Sequence, residues 1–355
     1  MFKETYNLIG IMSGTSLDGV DLIHLHLTYK NEKWNFELFE KETITYSNEW
    51  LLTLKKAVNF SKIELIALDR KYTLYLGEMI RSFVERHKIE HLDAVCSHGH
   101  TILHQPNNGI TLQIGNLSDI ATYCNQLVVC DFRIDDVKLG GQGAPLVPIG
   151  DRLLFSEYTY CLNLGGFSNV SFEYNGNRIA FDISPVNTVL NYFSNKFGKE
   201  YDDNGSISRS GNSNPNLYLA LNNLDYYSRP FPKSLGYEFV QETILPLLES
   251  FNSSDEDKMC TFTEHVAYQI SNALPNKTGS MLITGGGAYN DFLIQRIRFY
   301  LPNMQIEIPN NDILEFKEAL IFALLGVLKL RGEINVLSSV TGSKYNHCSG
   351  KIYHP

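Results

Sequence analysis

Ile9-Gly10-Ile11-Met12-Ser13-Gly14-Thr15-Ser16-Leu17-Asp18-Gly19-Val20-Asp21 decides how this chain is read: an apolar strand breaks into a hydroxyl- and glycine-rich turn and restarts as a second strand. Glycines let the main chain approach an anion with no Cβ in the way, successive N–H groups can converge on it, and Thr15 and Ser16 add hydroxyl donors. The turn is suited to phosphate. Asp18 and Asp21 would repel phosphate directly and make better sense as partners of a magnesium ion or its waters. No Lys follows the turn and a strand comes next, so this is neither the Walker pattern nor the dinucleotide fingerprint. A tight hairpin between two core strands uses the same residue types, which leaves a purely structural reading open.

Around this turn the pattern is of strands at 8–13, 20–29 and 34–45, with Ile23, Leu25 and Leu27 alternating with polar neighbours as in an antiparallel hairpin. Two helical stretches follow, the second opening on a capping box, Ser61-Lys62-Ile63-Glu64. A buried strand at 94–97, a hairpin of 101–104 with 111–114, a helix near 117–124 and a strand at 127–132 complete an α/β pattern. It then restarts: strand 160–164, glycine turn 165–169, strands 170–174 and 178–182, and a helix from about Pro185 that Ser184 would cap. Two halves that each begin strand, turn, strand imply a duplicated fold with the two turns facing one another. A third turn, Gly285-Gly286-Gly287-Ala288-Tyr289-Asn290, precedes an amphipathic helix that Asn290 is placed to cap. Bare backbone there admits a flat ring or a phosphate.

At 355 residues, two domains of roughly 130 to 220 residues are expected, with chemistry in the cleft between them. The breaker-rich segment 140–148 marks a crossing. The expected lobes are 1–134 with about 336–355, and 135–335. The polar stretch 202–215, with Ile207 its one apolar residue, reads as an exposed, mobile loop or lid. A net charge of −9 and a charged fraction of 19%, against roughly 25% in soluble proteins, exclude nucleic acid and anionic membrane as expected partners. The longest apolar run, 319–327, is too short to cross a bilayer, no targeting segment is visible at 1–5, and six scattered cysteines read as reduced core residues. The expectation is a soluble cytoplasmic protein.

Three glycine turns on a duplicated, strand-first pattern resemble the actin, sugar kinase and heat-shock ATPase superfamily. Within it, the first turn together with Ser97-His98-Gly99, Asp131-Phe132-Arg133, 140–148, Leu164-Gly165-Gly166-Phe167-Ser168-Asn169, Phe181-Asp182, Lys233-Ser234-Leu235-Gly236 and Thr284-Gly285-Gly286-Gly287-Ala288-Tyr289-Asn290 is similar to the anhydro-N-acetylmuramic acid kinases. The resemblance implies a two-lobed, actin-like (ribonuclease H-like) α/β fold with its active site in the interdomain cleft. It also implies ATP and Mg²⁺ as cofactors and a kinase that opens 1,6-anhydro-N-acetyl-β-muramic acid with water and phosphorylates O6. Gly14, Thr15, Ser16, Leu17, Asp18, Gly19, Val20 and Asp21, then Gly165, Gly166 and Asn169, then Gly285, Gly286, Gly287 and Asn290 would hold the nucleotide, Asp18 and Asp21 also its metal. Family members are often dimers; no interface signature is visible here.

Opening the anhydro bridge needs a base for the attacking water, and Asp182, at a strand end before a helix, is the candidate. A helix N-terminal acid fits the same place. His98, Arg133, Asn187 and Glu318 would meet the sugar. Arg133 suits the lactyl carboxylate because its guanidinium binds in two prongs, although Asp131 or Asp135 are equally available partners. Glu318, placed at the start of an apolar helix, also reads as a dipole-complementing surface acid. Cys96, His98 and His100 alternate along one strand and invite a zinc reading, but no second pair supports it, and His100 and His104 read as packing or hydrogen-bonding residues.

The chain departs from the family where Ile183-Ser184-Pro185-Val186-Asn187 replaces a glycine-containing turn, where Asn191 stands for an Asp, and where His100 stands for a common Gln. Rival readings are a kinase for another anhydro sugar such as levoglucosan, and a non-catalytic, ATP-dependent sugar sensor.

Overall fold

The computed structural model describes residues 2–14 and 17–355 and divides the chain into two compact units, Met1–Leu154 with Phe316–Pro355, and Phe155–Glu315. In the first unit β1 (Thr5–Ser13), β2 (Val20–Lys30) and β3 (Lys33–Ile44) form an antiparallel meander. On its other edge β1 pairs in parallel with β4 (Ala94–Gln105). Strand β5 (Ile110–Ile114) folds back antiparallel on β4, and β6 (Val128–Cys130) continues the sheet in parallel. A strand at Lys351–Tyr353 closes the edge. The expected strand 94–97 and the first arm of the hairpin are one continuous β4, shifted in register between Thr101 and Leu103.

The second unit repeats the plan. Strands β7 (Tyr160–Leu164), β8 (Phe167–Tyr174) and β9 (Asn177–Pro185) form the meander, and β10 (Gly279–Thr284) and β11 (Met304–Glu307) extend it in parallel. Leaving out β5 and the closing strand, the first sheet reads β3-β2-β1-β4-β6 and the second β9-β8-β7-β10-β11, each with three antiparallel strands followed by two that join in parallel. That repetition is the duplication foreseen from the turns. Alternation drives it: along β2 the apolar Ile23, Leu25 and Leu27 are fully buried while His24 and His26 between them are half-buried.

Three readings are corrected here. The stretch 202–215 is built rather than loose: Asp202, buried, accepts from Ile207 N (2.7 Å), Ser208 N (3.0 Å) and Ser208 Oγ (2.6 Å), and Ile207 is itself buried. Segment 140–148 lies inside the first unit instead of bordering it, because the buried Asp136 accepts from Gly143 N (2.7 Å) and Thr341 Oγ1 (2.7 Å) and the carbonyl of Thr341 accepts from Gln142 N (2.8 Å). Glu318 stands in the third turn of the helix Asn311–Leu330, so it is no N-terminal dipole acid.

That helix lies directly on the first sheet. A Cβ on Gly10 would meet the Ala319 carbonyl oxygen at 2.1 Å, and one on Gly326 would meet Cys96 Sγ at the same distance. Backbone on backbone cannot yield, so Gly10→Ala is expected to lower the unfolding free energy by about 3 kcal/mol; urea denaturation followed by circular dichroism checks it.

Candidate active site

In the first unit the turn that follows β1 is anchored at its root by a buried polar chain. Ser13 Oγ lies 2.6 Å from the Tyr46 hydroxyl and 2.8 Å from His100 Nδ1, and the Tyr46 hydroxyl lies 2.6 Å from that of Tyr72. All four residues are buried. Burial pushes His100 down to about 4, so its imidazole is neutral at ordinary pH. Past Gly14 the chain tightens, with Leu17 N donating to the Gly14 carbonyl (3.3 Å) and Leu17 itself left-handed (φ +65°). Gly19 is required: its φ is +156°, and a Cβ would sit 2.6 Å from the Ile44 carbonyl oxygen. Val20 is buried, Asp18 is exposed, and half-buried Asp21 accepts from Thr43 Oγ1 (2.6 Å). Thr15 and Ser16 lie outside the described residues.

The same unit brings His98, Arg133 and Glu318 together. Arg133 Nε donates to His98 Nε2 (2.8 Å), and Nδ1–H of His98 then donates to the Gly99 carbonyl (2.9 Å). Both ring nitrogens are engaged, and burial with the neighbouring guanidinium holds His98 well below its usual pKa. Phe322, on the helix of Glu318, packs on the His98 ring at 4.7 Å between centroids. Desolvation brings Arg133 down to about 10, with the Glu318 carboxylate opposing it. The acids offered as rival partners of Arg133 are taken elsewhere, Asp131 by Lys351 (2.5 Å) and Asp135 by Lys138 (3.5 Å). Among the described residues no three His, Cys, Asp or Glu side chains are grouped to hold a metal. His104 bonds Thr111 Oγ1 (3.1 Å).

In the second unit the turn between β7 and β8 is only Gly165-Gly166, shorter than the expected 165–169. It docks on the start of the helix Asn187–Lys196: Val186 N donates to the Gly166 carbonyl (2.8 Å), Asn187 N to that of Gly165 (3.2 Å), and Asn187 Nδ2 to that of Leu164 (3.5 Å). The helix therefore starts later than expected, and Ser184 does not cap it. Its hydroxyl lies 3.0 Å from that of Ser168, extending β9 to Pro185. Asn169 faces Asn163 on one side and Asp182 on the other across adjacent strands, and all three are half-buried among apolar neighbours.

Glycines 285–287 are not equivalent. A Cβ on Gly285 (φ +84°) would meet Asn163 Oδ1 at 2.6 Å, and one on Gly287 would meet Leu164 Cβ at 2.8 Å, whereas Gly286 has nothing nearer than Asn187 Nδ2 at 3.8 Å. The outer two are demanded by packing; Gly286 leaves open backbone. Asn290 accepts from Leu293 N (2.9 Å) and caps the helix Asp291–Tyr300, as expected.

Asp182, on β9, is half-buried. Its Oδ2 accepts from Leu235 N (2.9 Å), its own N–H donates to the Lys233 carbonyl (3.1 Å), and its carbonyl accepts from the Tyr226 hydroxyl (2.6 Å). Burial raises its pKa and the Leu235 N–H opposes the rise. Sequence reading missed Asn163, which lies between two glycine turns; its signal was a lone amide in an apolar strand. It also missed Tyr226, for which no local pattern speaks.

A family model described as "Anhydro-N-acetylmuramic acid kinase" matches residues 6–355. Proteins of that name from Pasteurella multocida (33% identical, 99% of this chain, 98% of that one), Haemophilus influenzae (31%, 99% and 98%) and Mannheimia succiniciproducens (34%, 99% and 100%) align over essentially their full lengths. The chain is thus an enzyme of the phosphotransferase class, a kinase that draws on ATP. More narrowly, it belongs to the anhydro-N-acetylmuramic acid kinase family.

The glycine geometry makes a distinction that thermal denaturation can read. Gly287→Ala is expected to cost about 2 kcal/mol through overpacking against Leu164, while Gly286→Ala stays within about 0.5 kcal/mol of the parent.

Proposed function

We propose that this kinase hydrolyses the bridge of 1,6-anhydro-N-acetyl-β-muramic acid and phosphorylates O6 in one site, giving N-acetylmuramic acid 6-phosphate in cell-wall recycling. The observation that carries the residue-level reading is Asp182, half-buried, with one carboxylate oxygen held by Leu235 N–H. A water oxygen bonds to C1, the C1–O6 bond breaks, O6 takes the γ-phosphoryl of ATP and ADP leaves; Asp182 receives the water proton. Its raised pKa makes it a better acceptor than an exposed aspartate. His98 is not that base, because both its nitrogens are committed; it orients Arg133.

Arg133 then binds the lactyl carboxylate. Its Nε is spent on His98, and among the described residues its two terminal nitrogens have no hydrogen-bond partner, which leaves a two-pronged donor. Glu318, beside Arg133, and Asn187, at the mouth of the second turn, complete the sugar contacts. Residues 14–21, Gly165, Gly166, Asn169, Gly286 and Asn290 receive the nucleotide, with Gly285 and Gly287 shaping the third turn. The oxygen donors of Asp18 and Asp21 fit Mg²⁺, which would neutralise phosphate charge when bound. Among the described residues no helix is long and apolar enough to cross a membrane. Six free cysteines, five of them buried, support a reducing, cytoplasmic setting.

Asp182→Asn is expected to lower kcat about a hundredfold to ten-thousandfold while ATP still binds in equilibrium dialysis. In ¹⁸O-labelled water the wild type should place label at C1 and phosphate at O6 by mass spectrometry; label found in the phosphate instead would overturn the reaction. Arg133→Met should lose about a hundredfold in kcat/KM on the muramic substrate and far less on levoglucosan, which has no carboxylate. Equal losses on the two sugars would remove the lactyl assignment.

A further inference from the structure

Beyond the Leu235 N–H already noted on Asp182, the segment Lys233-Ser234-Leu235 has no role in the reaction as derived so far, yet three of the four hydrogen bonds around Asp182 run through it. It lies between the short helices Asp225–Ser228 and Tyr237–Phe239 with no regular structure of its own. The links form a closed circuit. Asp182 N donates to the Lys233 carbonyl (3.1 Å), Lys233 Nζ donates to the Tyr226 carbonyl (3.2 Å) and lies 4.7 Å from the centre of the Tyr226 ring, and the Tyr226 hydroxyl donates back to the Asp182 carbonyl (2.6 Å). Inside that circuit, Leu235 N donates to Asp182 Oδ2 (2.9 Å). Phe231, just upstream, stacks on Phe181 at 5.3 Å between centroids and 9° between planes, seating the segment beside the residue that precedes the acid.

An aspartate side chain turns freely about its last bond unless something holds it. A base whose two oxygens exchange places spends part of its time misdirected, and small errors of direction are costly in a proton transfer. Here one oxygen is claimed by a main-chain N–H, and among the described residues Oδ1 has no hydrogen-bond partner. We propose that Lys233-Ser234-Leu235 is the positioning element of the base: Leu235 N–H fixes Oδ2 so that Oδ1 takes the proton from the attacking water, and Lys233, through Tyr226, locks the segment to the strand of Asp182. The proposal rests on Asp182 being the base. Lys233 and Tyr226 are positioning residues, since neither is placed on the substrate. The titratable groups around the acid are Tyr226 and Lys233, with Arg229 acting on both; burial and the Leu235 N–H are the influences on Asp182 itself.

The test is the carboxyl titration of Asp182, read by ¹³C NMR on aspartate-labelled full-length protein and assigned by the signal lost in Asp182→Asn. Leu235→Pro deletes the N–H and is expected to raise that pKa by about one unit and carry the acid limb of kcat up with it. Leu235→Ala keeps the N–H and should keep the wild-type titration. An unchanged Asp182 titration in a folded Leu235→Pro protein overturns the proposal. Should that variant fail to fold, Lys233→Met decides. It is expected to lower kcat about tenfold with KM for ATP within about twofold, and Lys233→Arg to restore most of the loss; wild-type kcat in Lys233→Met overturns the clamp. Failure of the base reading is separable, because turnover surviving in Asp182→Asn would sink that assignment while the NMR titration still reports on the clamp.

Discussion

The contact between a helix and a strand that have no side chain between them underlies the arrangement of the first unit. At Gly10 the main chain of β1 lies against the carbonyl of Ala319, and at Gly326 the same helix lies against Cys96 on β4. Two side chains of the helix at that level meet the same cluster. Phe322 reaches the His98 ring, and Glu318 comes near enough to Arg133 to oppose its desolvation. Two missing methyl groups thus set the spacing of an acid, a cation and a neutral imidazole.

The second constraint is repetition. Both sheets place a turn between their first and second strands and set their third strand antiparallel beyond it, so each unit carries a tight main-chain loop at the same station. What differs is how each loop is braced. The first hangs from a buried chain of hydroxyls and an imidazole, Ser13 with Tyr46, Tyr72 and His100. The second rests on the start of a helix, its two glycine carbonyls taking the first N–H groups from 186 onward. Two solutions to one geometric demand are consistent with units that share a plan while having little local sequence in common.

Much of this was legible because turns are local. Glycines at 14, 19, 165, 166 and 285–287 announce themselves in a few residues, and the alternation of β2 is visible without any partner. What escaped reading depends on residues far away in the chain. Ser184 looks like a helix cap until Ser168, on the neighbouring strand, claims its hydroxyl. Arg133 stands among acids in sequence, yet its bond goes to His98, 35 positions upstream. The polar stretch 202–215 looks loose because the residue that orders it, Asp202, is an ordinary aspartate until its carboxylate is seen receiving two main-chain donors. Glu318 was assigned to a helix start because the apolar run begins at Ala319, whereas the helix begins on the more polar turns before it.

The first unit is discontinuous: residues 1–154 share their core with 316–355, and Thr341 reaches back to Asp136 across 205 positions. Residues 155–315 make up the other unit from one continuous stretch of chain. During synthesis the opening 154 residues leave the ribosome well before the helix that lies on β1 and the strand that ends their sheet. The sheet begun by residues 1–154 is completed only by pieces of chain made after the whole of 155–315, so its first strands and its last partners are separated in time as well as in sequence.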